Sequence, residues 1–261
     1  MTDRSNLTWN PETYTRFRGL RLRPAMDLVA QVPEIPEGDI VDLGCGNGAV
    51  AAVLAAQFPG RRLIGVDKSP EMLREAAQTA IYDRLMQADV RHWSPEEAPA
   101  LIFSNAALHW IDDHNHLMPR LIGLLRAKGA LAVQMPRQFD APSHRLLRDV
   151  AAHLFPDIFD FSQEVAPVSA AFEYAARLSR FGEVTAWETE YVQAMPADPV
   201  AHPVRRFTES TAMLPVSSRL DPDQLALFLQ AYDAALYAAY PLLPDGGVLF
   251  PFKRCFFVVK T

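Results

Sequence analysis

The sequence predicts an α/β fold, a doubly wound sheet that is mostly parallel with a late antiparallel strand, plus a helical lid. Short apolar runs alternate with helical stretches from Ile40 to Gln134, glycines crowd the end of the first run, and acidic residues recur where later runs end. Taken in order, residues 11–31 read as two short helices broken near Gly19, with Pro24 in a first helical turn. Ile40-Val41-Asp42-Leu43 is a buried strand, Val50 to Gln57 an Ala-rich helix, and Leu63-Ile64-Gly65-Val66 a second strand. Ser69 can cap and Pro70 can start the next helix, and Leu101-Ile102-Phe103-Ser104 is an apolar strand. Asp112 or Asp113 then caps a helix running to about Arg126, closed by Lys128 and Gly129, and Ala130 to Gln134 is another strand. Further helices are expected at 143–153, 170–180 and 221–240. Val184 to Val192, and Val248-Leu249-Phe250 with Phe256 to Val259, read as late strands. If both join the sheet, residues 196–240 form an excursion between them, where a lid over a ligand would lie.

Composition narrows the function classes. A length of 261 residues with 49% hydrophobic and 21% charged residues supports a full core. Lys and Arg number 25 against 31 Asp and Glu, a net charge of −6 with no basic run. That balance argues against a nucleic-acid or anionic-membrane partner and for a small molecule. Cys45 and Cys255 offer no disulfide framework, which suggests a reducing compartment. The N-terminus opens onto no apolar h-region and no run of ~18 apolar residues occurs, so a cytoplasmic location is expected. Monomer and homodimer both remain open.

Four motifs carry chemistry. Val41-Asp42-Leu43-Gly44-Cys45-Gly46-Asn47-Gly48 runs from strand through glycines into a helix, with G-x-G-x-G spacing in place of the dinucleotide G-x-G-x-x-G. That spacing, with an acidic residue just before the loop, suits S-adenosylmethionine better than NAD, because room for an amino-acid moiety matters more than free amides for a pyrophosphate. Gly65-Val66-Asp67 places a carboxylate where it can accept from both ribose hydroxyls. Ala88-Asp89-Val90 supplies an acceptor for an adenine amino group, and Ser104-Asn105-Ala106-Ala107-Leu108-His109-Trp110 ends the following strand with a polar residue and two rings. Each motif alone has a plainer explanation: a tight turn, a helix cap for Asp67, a loop residue for Asp89. Their register at successive strand ends favours a nucleoside site. His109-Trp110-Ile111-Asp112-Asp113-His114-Asn115-His116 matches no zinc spacing, so no metal is expected.

These blocks, with Ser69-Pro70-Glu71-Met72-Leu73, resemble a class I S-adenosylmethionine-dependent methyltransferase with a Rossmann-like sheet. More narrowly the chain resembles the trans-aconitate 2-methyltransferase family. Trp9-Asn10-Pro11, Arg21-Leu22-Arg23-Pro24-Ala25, Ala132-Val133-Gln134-Met135-Pro136, Pro142-Ser143-His144, Trp187-Glu188-Thr189, Ala239-Tyr240-Pro241 and Leu249-Phe250-Pro251-Phe252-Lys253-Arg254 carry that resemblance nearly end to end. It implies a single methyltransferase domain: residues 1–35 as N-terminal helices and cofactor lid, 36–135 as cofactor core, and 136–261 as acceptor-side helices with the last two strands. It also implies methyl transfer to a carboxylate of trans-aconitate, giving a monomethyl ester. Expected cofactor contacts are Tyr14, Asp42, Gly44, Gly46, Asp67, Lys68, Met72, Asp89, Val90, Asn105 and Trp110. Arg21, Arg23, His144 and Arg254 are candidate acceptor holders, and His109, His144, Tyr240 and Arg254 candidate catalytic residues. Arg21 and Arg23 could equally be solvated or capping residues. A carboxylate is ionised at pH 7, so cations and positioning matter more than a base. The family's Gly-Thr-Gly-Leu-Arg-Pro stretch is here Ser210-Thr211-Ala212-Met213-Leu214-Pro215, preceded by Glu209 at a basic position, and Gln193 stands where the family pattern has His. With those cations absent, the alternative acceptor is a hydroxyl, amine or carbon of a less charged metabolite, and His109 or His144 would then be the base.

Overall fold

A computed structural model of the chain describes residues 18–261. Tyr14, among the expected cofactor contacts, lies outside them. The chain divides into two compact units. The larger comprises residues 18–137, 167–189 and 253–261, and among the described residues the smaller takes 138–166 and 190–252.

The larger unit opens with helix α1 (Arg18–Val29). It starts one residue before Gly19, so the first of the two expected helices lies outside the described residues, and it carries Pro24 well inside rather than in its first turn. Pro24 forgoes an intrahelical hydrogen bond, and burial of Ala25, Leu28 and Val29 compensates. Then follow β1 (Ile40–Leu43), α2 (Ala51–Gln57), β2 (Leu63–Asp67), α3 (Pro70–Ala77), β3 (Arg84–Gln87), β4 (Leu101–Asn105), α4 (His114–Gly123) and β5 (Ala130–Pro136). Ser69 caps α3 as expected, its Oγ accepting from Met72 N–H at 3.2 Å. Asp113 does not cap α4 through its side chain. It takes a left-handed φ of 60°, and its carboxylate accepts from His116 Nδ1 at 2.6 Å. The helix stops at Gly123 rather than near Arg126, whose N–H turns to Pro99 O at 3.1 Å. Lys128, at φ 65°, makes the left-handed turn into β5.

Helix α5 (Pro142–Leu154) belongs to the smaller unit and α6 (Ala171–Leu178) to the larger. Strand β6 (Glu183–Met195), helices α7 (Pro203–Glu209), α8 (Leu214–Ser217) and α9 (Pro222–Ala239), and strand β7 (Val248–Lys260) complete the chain. The sheet order is β3-β2-β1-β4-β5-β7-β6. The neighbours β3 to β5 pair in parallel, and β7 joins β5 antiparallel, pairing Gln134 with Phe256 and Pro136 with Arg254. β7 is one strand rather than two runs, because Pro251 falls before the stretch paired with β5.

Alternation divides the side chains of the larger unit between two faces. Val41, Ile102, Val133, Met135 and Phe257 share a core with Tyr174 and Leu178 of α6. Asp42, Asn105, Gln134 and Phe256 lie on the opposite face. In the smaller unit, Phe228, Tyr232 and Leu236 of α9 pack with Leu147 and Ala151 of α5 and with Phe250 and Phe252.

Candidate active site

The glycine loop is built by backbone geometry. Gly44 sits at φ 74°, and a Cβ there would meet Ala107 Cβ at 2.3 Å, so only glycine fits. The loop is tied to β2, with Gly44 and Cys45 N–H donating to Val66 O at 2.8 and 3.0 Å. Gly46, at φ 55°, is different: a Cβ there would meet only Met72 Sδ, at 4.0 Å. Its N–H donates to Asp67 Oδ2 at 2.9 Å, while Asp67 Oδ1 accepts from Ser69 N–H at 2.9 Å. Asp67 thus braces the loop against the start of α3, and each oxygen keeps a lone pair for a diol.

Asp42 lies behind this loop, 2% exposed, and accepts from Tyr82 Oη–H at 2.6 Å. Burial pushes its carboxyl up from 3.8 to about 7, the Tyr82 hydrogen bond opposing and the Asp67 charge reinforcing. The Cys45 thiol is pushed up by burial as well, with help from Asp42 and Asp67, so it is inert. Lys68 is exposed, and its carbonyl accepts from Gln87 Nε2 at 3.3 Å. Asp89 is held by Arg91, whose Nε and Nη2 reach Oδ1 and Oδ2 at 3.0 and 2.5 Å and bring the carboxyl down to about 2. Val90 is buried, its carbonyl accepting from Arg120.

After β4 the backbone turns at Ala106, φ 54°, held by its N–H to Gln134 O at 2.9 Å. A non-glycine residue in this region costs energy and is found where a site demands it. Asn105 Oδ1 is buried and has no partner among the described residues. Trp110 is 57% exposed and tilts against His109, ring centroids 4.7 Å apart. Two of the three histidines in the run from His109 to His116 are engaged elsewhere: His114 binds Leu108 O through Nε2 and the Tyr174 hydroxyl through Nδ1, and His116 binds Asp113.

Among the residues expected to hold the acceptor, Arg254 is 4% exposed and donates from Nη1 to Gln134 Oε1 at 3.1 Å. Arg23 is exposed on α1, and Arg21 lies in the same helix with its side chain outside the described residues. In the smaller unit, His144 Nδ1 lies 3.0 Å from Ser143 Oγ. Burial and the nearby Arg148 charge push His144 down to about 4, so at neutral pH it is a neutral hydrogen-bonding group and not a cation. The Tyr240 hydroxyl accepts from Ser143 N–H at 3.0 Å, satisfying the start of α5. Glu209 accepts from Arg205 Nη1 and Arg206 Nη1, both at 2.6 Å, and Asp233 from Arg205 Nε at 2.8 Å. Sequence reasoning did not single out Tyr82 or Gln134. For Gln134 a signal existed, a lone amide in the apolar run Leu131-Ala132-Val133-Gln134-Met135. For Tyr82 none did.

A loop that admits a ligand over Gly46, a carboxylate with spare lone pairs at the end of β2, and a buried acid behind the loop fit a nucleoside that carries an amino acid. Comparison with known proteins agrees. A methyltransferase domain family model matches residues 40–129. The trans-aconitate 2-methyltransferase of Azoarcus sp. (strain BH72) is 40% identical over 252 residues, covering 96% of this chain and 98% of that protein. Those of Methylobacterium radiotolerans and Escherichia coli O139:H28 are 40% and 37% identical, each covering 97% of this chain and 98% of their own. Among solved structures, the YcgJ protein from Bacillus subtilis superposes with a TM-score of 0.58 at 14% identity, covering 92% of this chain and 98% of that one. The plantazolicin methyltransferase BpumL, solved with a desmethylPZN analog and SAH, gives 0.51 at 13% identity, covering 96% and 90%. These two likenesses establish the fold. The chain is an S-adenosylmethionine-dependent enzyme, and it belongs to the trans-aconitate 2-methyltransferase family of class I methyltransferases.

Proposed function

We propose that the chain methylates a carboxylate of a small polycarboxylic acid, with trans-aconitate the first acceptor to try, giving a monomethyl ester. The relatives' activity supports it. The structural observation that carries it is Arg254, a guanidinium buried to 4% exposure on the face of the sheet that also bears Asp42 and Asn105. S-Adenosylmethionine supplies an electrophilic methyl on its sulfonium, so a C–O bond forms as the S–CH3 bond breaks and its electron pair stays on sulfur. No proton moves, because the acceptor is already an anion.

The chain's residues have matching tasks in this reading. Asp67 takes the ribose hydroxyls, while Gly44, Gly46 and Met72 shape the loop. Asp42 answers the amino-acid ammonium, and Val90, Asn105 and Trp110 line the cofactor. Asp89 meets the adenine amino group through lone pairs that Arg91 leaves. Arg254 holds the acceptor in place of its water shell. His144, at about 4, is a weak base, which favours an acceptor ionised before it binds over one that must lose a proton.

One observation favours a less charged acceptor, methylated at a hydroxyl, amine or carbon. Glu209, Asp233 and Asp198 together neutralise Arg205 and Arg206, and Leu214 stands where the family carries arginine, so this region brings no free positive charge. Steady-state kinetics with a tricarboxylate, a dicarboxylate, a monocarboxylate and an alcohol of similar size decides between them. Polycarboxylates should lead in kcat/KM by at least tenfold, the scale of one charge-assisted hydrogen bond. An alcohol turning over faster than every acid would sink the carboxylate reading.

A further inference from the structure

Tyr82 stands in the turn between α3 and β3, in none of the cofactor motifs, yet its ring lies against two of the glycines that those motifs contain. A Cβ on Gly48 would come within 3.1 Å of its Cε2, and one on Gly65 within 3.0 Å of its Cε1. Gly48 is demanded by its φ of 78° as well. Gly65 lies in regular strand, where close packing alone calls for glycine: its Cβ would also meet Leu85 Cδ2 at 2.7 Å. Gly65 pairs in register with Asp42, so the space left by its missing side chain adjoins the carboxyl. The ring that fills this space carries a hydroxyl, and that hydroxyl donates to Asp42 Oδ2 at 2.6 Å.

The direction of this bond is fixed. Burial, reinforced by the charge of Asp42, pushes the phenol far above its ordinary value, so Tyr82 keeps its proton and is always the donor. Its effect on Asp42 opposes that of burial: desolvation drives the carboxyl toward the neutral acid, and a donated hydrogen bond favours the carboxylate. A purely structural role would be served at less cost by an amide in place of the acid, or by a phenylalanine in place of the tyrosine. The chain keeps an acid and supplies the donor that favours its charge, which is the form an ammonium needs. The carboxyl makes no other side-chain or backbone hydrogen bond among the described residues, so one oxygen is held by Tyr82 and the other is left for a ligand.

Resting on the reading that Asp42 answers the cofactor's ammonium, we propose that Tyr82 is a positioning residue for the amino-acid end of the cofactor: its hydroxyl holds the Asp42 carboxylate for that ammonium, and Gly48 and Gly65 make room for its ring. Calorimetric titration of the full chain with S-adenosylhomocysteine, repeated between about pH 6 and 8, tests this. The other titratable groups facing Asp42 are Asp67 at the end of β2 and the Cys45 thiol in the loop, and every variant retains both. Wild-type affinity should fall as pH drops through about 7, where Asp42 takes up a proton. Tyr82→Phe keeps the ring and deletes the donor. At neutral pH it should weaken binding roughly 10-fold, and the pH at which affinity falls should move up by about one unit. Methylthioadenosine, which has the nucleoside but no amino acid, should bind this variant and wild type within about twofold of each other. A merely structural tyrosine predicts instead that both ligands weaken alike and that the pH of the fall stays put. Asp42→Asn closes a cycle: because Tyr82 acts through Asp42, adding Tyr82→Phe to it should cost no further affinity, and additive losses overturn the proposal. If Tyr82→Phe gives no cooperative melt, a ring-fluorinated tyrosine at this position, nearly the same size and a stronger donor, decides: the fall should move to lower pH, and a fall that stays or rises overturns the role. Asp42→Asn weakened while Tyr82→Phe binds S-adenosylhomocysteine like wild type refutes Tyr82 only. Asp42→Asn binding it like wild type refutes the reading of Asp42, and the Tyr82 role with it.

Discussion

Asp42 is a carboxyl group kept where charge is expensive, and its cost should be measurable. Its folded pKa of about 7 lies above the ordinary 3.8. Its stability contribution is therefore fully present below pH 4 and lost as pH rises toward and through 7, a change of about 4 kcal/mol. Asp67, Tyr82 and Cys45 are the titratable groups coupled to it. Urea unfolding of wild type and Asp42→Asn should show a stability difference that moves in favour of Asn between pH 4 and 8. A difference flat in pH would refute the buried acid. Part of this was legible in the sequence: an acidic residue before a glycine loop can be read from a single chain. Tyr82 could not, because its bond to Asp42 joins residues forty positions apart through a loop that carries no motif. His144 was readable as a polar residue at a helix start, yet its neutrality comes from burial, which no local pattern reports.

At the scale of elements, the cap expected at Ser69 forms, the one expected at Asp113 does not, and the cap at Asp221 was not read from the sequence. Ser69 and Pro70 start α3 as their types require. Asp113 instead adopts a left-handed conformation and gives its carboxylate to His116. Asp221 makes a full capping box on α9, accepting from Gln224 N–H at 2.9 Å while Gln224 Oε1 accepts from Asp221 N–H at 3.1 Å. Asp221→Ala should therefore cost about 1 kcal/mol, or about 2–4 °C in Tm, whereas Asp113→Gly should be neutral or stabilising because glycine adopts positive φ without strain. Equal losses from both would show that Asp113 also caps. Helix α1 marks the limit of local rules: Pro24 lies inside it rather than in its first turn, and burial of Ala25, Leu28 and Val29 offsets the lost hydrogen bond. The same holds for Pro251 in β7, tolerated because pairing with β5 begins only at Arg254.

At the scale of the whole molecule, an acidic chain of net charge −6 has to keep its working cations from being neutralised. Several are paired within the chain: Arg205 with Glu209 and Asp233, Arg206 with Glu209 and Asp198, and Arg137 and Lys253 with the one carboxylate of Glu188. Arg254, buried and hydrogen-bonded to the Gln134 amide, is the cation on which the proposed function turns. The succession of strands and helices and the glycine loop were legible because period and glycine spacing are local, whereas the strand order was not. The Gln134–Arg254 pair was not, because antiparallel pairing of β5 with β7 brings together residues 120 positions apart. The most direct measurement is the chemical identity of the new bond. Incubated with trans-aconitate and cofactor labelled with 13C at the methyl, the protein should yield a single methyl-ester resonance that disappears in mild alkali as labelled methanol is released. Label in an alkali-stable product, or no transfer to this or any other polycarboxylic acid, would contradict the account.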